Sequence, residues 1–289
     1  MWGHLEEAAV GRVGARVVAA VVIVACVALL GPSAPNGALI ARPLPAGAPR
    51  EVVADRVMTW NICNPCNASG QNLGRAADIA TYAPQVIGMQ EACVRDVEMI
   101  REHLEHVYGL VYHVEYGSVL RSRSRCGGWP WSPGGFGQAI LSAAPMTDRE
   151  NVEYPDGGSE DRGYLAVTTT VGGRSVRVFN THLAQRRQED VRAAQTPVLA
   201  AAVARHERAV VLGDFNAVPE APELTRIWAV ARDADPACRP PSTAGCRPTT
   251  DWFSKFDYIF LRGITARGHG VHPSDFSDHD LQHADLDVG

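Results

Sequence analysis

Lysine is all but missing: of 27 lysine and arginine residues, only Lys255 is a lysine. GC-rich codon usage explains that bias more simply than a need to grip phosphate. A positive net charge is missing too. The formal charge of −5 excludes a long-range pull toward nucleic acid or anionic lipid by the chain as a whole. It does not exclude either ligand at a local site, because a metal centre built of carboxylates carries cationic charge that the count omits. There is one Cys-x-x-Cys pair, Cys63 and Cys66, and no second. A zinc knuckle, which needs two such pairs, is therefore excluded. The longest apolar run, residues 17–30, is short for a bilayer span of roughly 20 residues. No internal repeat is present, and one catalytic domain is the economical reading.

What is there is an ordinary globular composition, 46% apolar and 20% charged over 289 residues, enough for a sizeable core. Arg12 and Arg16 precede the apolar run and Gly31-Pro32 follow it. Residues 1–31 thus read as a signal peptide, or as a signal anchor since no A-x-A cleavage site follows. Ile23-Val24-Ala25-Cys26 resembles a lipoprotein box, but the apolar run continues past Cys26. Residues 32–54, rich in Pro, Ala and Gly, read as a linker, and residues 55–289 as the catalytic domain. The expectation is a secreted, extracellular protein, or one anchored to a membrane and facing outside. Beyond Cys26 there remain Cys63, Cys66, Cys93, Cys126, Cys238 and Cys246. An even number behind an export signal suggests disulfides. Cys238 and Cys246 bracket a Pro-rich loop and are the best local pair. Cys63 and Cys66 have the spacing of zinc and redox sites, with a structural disulfide as the plainer alternative.

From residue 56 onward strand and helix patterns alternate. Residues 56–62 have strand character, 73–82 helical spacing, 86–89 a short apolar strand and 94–107 helical spacing again. Strand-like runs follow at 110–115, 137–142, 164–171 and 175–180, the last two joined through Gly172-Gly173, a hairpin signal. The longest amphipathic helix is expected at 187–206, with strands at 209–213, 256–263 and 282–287. Hairpin joins rule out a purely parallel sheet. Many short strands with few helices predict an α/β (α+β) protein of two packed sheets with helices outside.

Polar residues stand where these apolar runs stop. "MTWNIC" offers Asn61, "VIGMQEAC" ends in Gln90-Glu91, and "VRVFNTHL" ends in Asn180 and His182. "VVLGDFN" gives Asp214 and Asn216, "KFDYIFL" places Asp257 among apolar neighbours, and "SDFSDHD" holds Asp278 and His279. A pleated strand puts residues two apart on one side, so Asp214 and Asn216 should point together with Phe215 turned back into the core. Each feature alone is a common turn or cap. Together they supply oxygen donors for a hard cation and groups that move protons, which is what phosphoester cleavage needs.

The ordered series W-N-I, Q-E, N-T-H-L, G-D-F-N, F-D-Y-I-F and S-D-H resembles the endonuclease/exonuclease/phosphatase superfamily over residues 57–287. That superfamily includes secreted deoxyribonucleases, abasic-site endonucleases, neutral sphingomyelinases and inositol polyphosphate phosphatases. The resemblance implies a deoxyribonuclease-I-like, four-layer α/β/β/α sandwich whose two mixed, mainly antiparallel sheets are flanked by helices. It implies that Asn61 and Glu91 hold a divalent ion, usually Mg2+ with Mn2+ or Ca2+ as substitutes, and that Asp278 completes the metal or water network. Asp214 would orient or deprotonate the attacking water, and Asn216 would steady the phosphate or the nucleophile. Asp257 would fix the tautomer of His279, which contacts a phosphoryl oxygen, and His182 would be a second phosphate contact. Cys63 departs from the pattern, since many nucleases of the family carry an acidic residue there. The tyrosine-bearing motif of the DNA-repair members is absent, and N-T-H-L stands in its place.

One loop, "RSRSRCGGWPWSPGGFGQAIL" at residues 121–141, bears on substrate. Its arginines with Trp129 and Trp131 fit a phosphate backbone with stacked bases, a lipid headgroup level, or a disulfide-pinned loop whose tryptophans fill a gap. Gln138 occupies the place of an amide that approaches substrate in the family. Asn180 and Arg162 complete the candidate substrate contacts. The expectation is a monomeric, exported, metal-dependent phosphodiesterase, nuclease-like or phospholipid-cleaving. The alternatives are a phosphomonoesterase on inositol-type phosphates and a non-catalytic binding module.

Overall fold

The computed structural model describes residues 42–289 apart from Pro65, Asn67 and Ala68. The expected signal segment and the first part of the linker lie outside the described residues. Two sheets of six strands carry the fold. The first runs, in spatial order, β13 (Thr265–His272), β14 (Leu281–Asp287), β1 (Val53–Asn61), β2 (Pro84–Cys93), β6 (Gly135–Ser142) and β3 (His113–Arg121). The second runs β11 (Arg232–Asp233), β12 (Asp257–Arg262), β10 (Ala209–Asp214), β9 (Arg174–His182), β8 (Gly163–Val171) and β7 (Thr147–Glu153). A small ribbon, β4 (Gly128–Trp129) with β5 (Ser132–Pro133), stands apart from both. In each sheet one central pair is parallel, β1 with β2 and β9 with β10, and the other pairs are antiparallel.

Strand alternation sorts the apolar residues into separate cores. Met58, Trp60 and Ile87 turn outward, where α1 (Asn72–Tyr82) and α2 (Val94–Tyr108) cover them with Ile79, Val97 and Leu104. Phe179, Val211 and Phe215 turn outward on the other sheet, under Leu199 and Val203 of α4 (Glu189–Ala204) and Ile227 of α5 (Thr225–Trp228). Val57, Val86, Val178, Val210 and Leu212 face inward and close the sheets on each other. Helix, sheet, sheet, helix is the result, as the strand and helix pattern implied. A one-turn helix, α3 (Arg123–Cys126), precedes the ribbon.

Between the sheets two amides act as straps. Asn180 donates to the carbonyls of Met89 (2.8 Å) and Ala139 (2.9 Å) and accepts from Gln90 Nε2 (2.5 Å). Gln138 donates to Gly163 O (2.6 Å) and accepts from Leu165 N (3.2 Å). Both are buried with both ends of the amide engaged, so neither is a substrate contact, contrary to the sequence expectation. Gly88 lets the strap fit, since a Cβ there would lie 2.8 Å from Asn180 Oδ1. Asn180→Ala should cost about 2–4 kcal/mol in urea unfolding, since each orphaned buried polar group costs roughly 1–3 kcal/mol. A loss below about 0.5 kcal/mol would show that the strap carries no weight.

The described end of the expected linker is docked. Leu44 and Val52 pack on the outer core of the first sheet, and Arg42 reaches Asp78 at 3.7 Å. Among the described residues Cys63–Cys66, Cys93–Cys126 and Cys238–Cys246 form disulfides. Among the described residues no helix is long and apolar enough to cross a membrane.

Candidate active site

Register assembles one row of the site. Across the second sheet Asp257 pairs with Asp214 and Asp214 with His182, on three adjacent strands. All three side chains fall on the inward side, the parity of Val210 and Leu212. At the facing end of the first sheet, Asn61 closes β1 and donates through Nδ2 to Asp214 Oδ2 at 3.0 Å. Its Oδ1 accepts Cys63 N at 3.0 Å. Asn61 therefore turns its nitrogen, rather than a free oxygen, to the carboxylate.

Glu91 reaches the cleft through a bulge. The β2–β6 register shifts between Met89 and Ala92, and Glu91 takes φ +51°. Bulges of this kind re-aim a side chain at the rim of a sheet. Asn64 braces it, giving its N–H to Glu91 O (3.2 Å) and accepting Cys93 N on Oδ1 (2.9 Å). Burial pushes the Glu91 carboxyl up, against the pull of Arg162 and a hydrogen bond from Asn61.

Asp214 is the centre. Its Oδ1 accepts the Asn216 amide at 2.8 Å, and His182 Nε2 and His279 Nε2 lie 3.4 and 3.7 Å from Oδ2. Asn216, at φ +51°, closes a turn rather than continuing the pleat, yet its side chain still arrives 3.0 Å from His182 Nε2. Burial is the main cause that pushes Asp214 up to about 7, with Asp257 adding repulsion and His279 opposing.

The two histidines differ. His279 Nδ1 meets Asp257 Oδ2 at 2.9 Å, and Thr249 Oγ1 donates to that same oxygen at 2.7 Å. Burial alone would lower His279, but Asp257 and Asp214 outweigh it and raise it to about 10. His182 is held well below its ordinary value by burial first, then by the charge of Arg162. Arg162 Nη1 lies 3.0 Å from His182 Nδ1, and its Nη2 pairs with Glu160 at 2.8 Å. Histidine nitrogen NMR on the metal-free protein should find His279 protonated from pH 5 to about 9 and His182 neutral throughout. Asp257→Asn should bring His279 down toward its ordinary 6.5. An unmoved His279 would assign its charge to Asp214 alone.

Asp278 lies beside the Cys63–Cys66 disulfide, with ligand atoms within 4.8 Å. Paired sulfurs are not thiolate ligands, so that trio is no soft-metal site. Asp278 Oδ1 is buried without a hydrogen-bond partner. The trio Asp214, Asp257 and His279 also clusters within 4.8 Å, but it is largely satisfied by its own hydrogen bonds. Trp60 Nε1 donates to His279 O at 3.0 Å and Ser277 Oγ to Asn61 O at 2.6 Å. Those bonds tie the W-N-I and S-D-H segments together.

Trp129 and Trp131 do not fill a gap. They are 67% and 79% exposed and stack on each other at 5.4 Å, on the ribbon that the Cys93–Cys126 disulfide ties close to Glu91. Sequence reading missed Trp252, whose ring stands at 87° to His279 with centroids 5.5 Å apart. It also missed Glu160, which pairs with both Arg125 and Arg162. No period marks either residue. Only the T-T-D-W segment just ahead of K-F-D-Y could have drawn attention to Trp252.

Two facing mixed sheets with acidic, amide and imidazole groups at their paired strand ends define a deoxyribonuclease-I-like hydrolase fold. The chain belongs to the Endonuclease/Exonuclease/phosphatase family, whose model matches residues 58–279. Members of this family are metal-dependent phosphoesterases, and this chain is a hydrolase of that class. No curated protein matches it in sequence. Among solved structures it is similar to D. rerio TDP2 complexed with single strand DNA product, at TM-score 0.64, 18% identity, and coverage of 80% of this chain and 98% of that one. The human Nocturnin catalytic domain with bound sulfate anion gives TM-score 0.63 and 20% identity over 80% of this chain and 92% of that one. A family protein from Bacteroides thetaiotaomicron gives 0.64 and 15% over 80% and 96%. At these identities the likeness shows the shared fold.

Proposed function

We propose that the protein is an exported, magnesium-dependent phosphodiesterase of nuclease type. The observation that carries this reading is the contact chain Glu91–His182–Asp214–His279, closed by distances of 4.0, 3.4 and 3.7 Å. Asp214, up near 7, takes a proton from the attacking water, and Asn61 and the Asn216 amide hold its oxygens for that step. His279, kept cationic by Asp257, donates toward the phosphoryl oxygen as negative charge grows there. His182 stays neutral, fixed by Arg162, and presents Nε2 toward Asp214. Glu91 and Asp278, the carboxylates that the family resemblance assigns to the ion, would supply the oxygen ligands a hard divalent cation takes, and the partnerless Asp278 Oδ1 is what such an ion would satisfy. Asn61, assigned to the ion with them, has its Oδ1 on Cys63 N and its Nδ2 on Asp214. When bound, the ion supplies charge neutralisation at the scissile phosphate. Export is supported by the disulfides, which persist in oxidising compartments.

A second reading, cleavage of phospholipid headgroups, is favoured by the exposed Trp129–Trp131 pair alone, since such rings also suit a membrane interface. One panel separates them: residues 50–289 offered plasmid DNA, RNA, sphingomyelin, phosphatidylinositol and inositol phosphates, with magnesium or chelator. Metal-dependent cleavage of nucleic acid is expected. Cleavage confined to lipid would install the second reading, and no cleavage of any member would remove both.

A further inference from the structure

Three hollows follow one another along the side of the fold where the second sheet ends in β11 and β12. The first, of about 320 Å3, is lined by Arg186, Asn216, Ala221 and Phe256 among others. The next, of about 390 Å3, shares Ala221 and adds Trp228, Arg232 and Arg239. The third, of about 560 Å3, shares Arg232 and Arg239 and runs on to Arg247, Arg267 and His269. Shared wall residues set them side by side along one track, the trough. Its upper end is Asn216, whose side-chain amide touches His182, so the first hollow borders the catalytic row.

Its charge is unlike that of the whole chain. Arg186, Arg232, Arg239 and Arg247 are exposed, and among the described residues their guanidinium groups make no hydrogen bond or ion pair. Two of the acidic neighbours are paired with other cations and a third accepts backbone amides. Glu223 holds Arg192 at 2.7 Å, Asp233 holds Lys255 at 2.9 Å, and Asp235 accepts the amides of Ala237 and Arg247. Glu189 and Glu220 remain toward solvent, and Arg267 meets Asp55. A protein of net charge −5 thus sets unpaired cations at successive stations along one track. Arginine suits phosphate oxygens because its planar fork can donate two bonds at once. A small phosphorylated headgroup would occupy the catalytic end and leave the farther arginines idle. Only a polyanion with repeating charge meets them in turn.

We propose that this trough carries a polynucleotide strand away from the scissile phosphate, with Arg232, Arg239 and Arg247 each engaging a backbone phosphate. The inference rests on the phosphodiesterase reading and names its substrate as a strand longer than the site itself. The test is binding of a fluorescein-labelled single-stranded oligonucleotide of about 20 nucleotides in EDTA, where no cleavage competes. The triple variant Arg232→Glu, Arg239→Glu, Arg247→Glu should raise Kd at least about tenfold and reduce the slope of log Kd against log salt by about 2, at roughly 0.7 per phosphate contact. A control with the same charge change at exposed sites outside the trough, Arg50→Glu, Arg95→Glu, Arg174→Glu, should raise Kd less than about threefold. Turnover of bis(p-nitrophenyl) phosphate by the trough variant should match wild type, which also shows that it folds. Equal weakening in both triples, or no oligonucleotide binding by a wild type that turns over the small diester, overturns the trough and spares the phosphodiesterase. No turnover of the small diester by wild type would remove the underlying reading as well.

Discussion

Glu91→Gln should lower turnover on any phosphodiester by at least about a hundredfold, with little change in stability. The substitution keeps the shape of the side chain and removes one charge. The bulge that aims residue 91, with φ +51° and the Asn64 brace, is built from backbone and Asn64 and should survive. Magnesium keeps several waters and is held through one or two carboxylates, and Glu91 is the acidic group from the first sheet that stands 4.0 Å from His182. Its burial, which pushes the carboxyl up, costs the metal-free protein something that a bound cation offsets. Calorimetric magnesium titration should weaken in parallel with turnover. Unchanged turnover with unchanged magnesium affinity would move the metal elsewhere.

His279→Ala should be as severe, about a hundredfold to a thousandfold in kcat with KM moving little, because the lost interaction belongs to the transition state. Asp257, Thr249 and Trp252 surround the ring, so its position is fixed before substrate arrives. The neutral cavity left behind also strands Asp257, whose Oδ1 already lacks a hydrogen-bond partner. Some loss of stability should therefore accompany the loss of rate. His182→Ala offers the contrast, since that ring is neutral and its removal frees Arg162. Retention of wild-type kcat in His279→Ala would remove the imidazolium from the mechanism.

Much of this was legible in the chain because the signals were local. The hairpin at Gly172-Gly173 forms with both residues at positive φ, +55° and +77°, and joins β8 to β9 at Val171 and Arg174. The apolar run into Asp214 announced a buried strand with a polar end. What escaped notice has physical reasons. β7 and β13 are outer strands; "TDRENVE" is exposed almost throughout and "TARGHGVH" is mostly half-buried, so no alternation marks either. β3 begins at His113 rather than 110 because Leu110 and Tyr112 pack into the outer core. Asn180 and Gln138 misled for the opposite reason. Polar residues near strand ends look like site residues, and nothing local distinguishes a strap between sheets from a hand held out to substrate. Trp252 needed the β-bridge between Thr250 and His279 to bring it in, a long-range pairing that no local period announces.

The most direct measurement is hydrolysis of bis(p-nitrophenyl) phosphate by residues 50–289 as EDTA and then excess magnesium are added, with Glu91→Gln alongside. Turnover that disappears with chelator, returns with magnesium and is absent from the variant is the expected result. Turnover indifferent to chelator, or equal in both proteins, would contradict a single cation-dependent centre joining the two sheets.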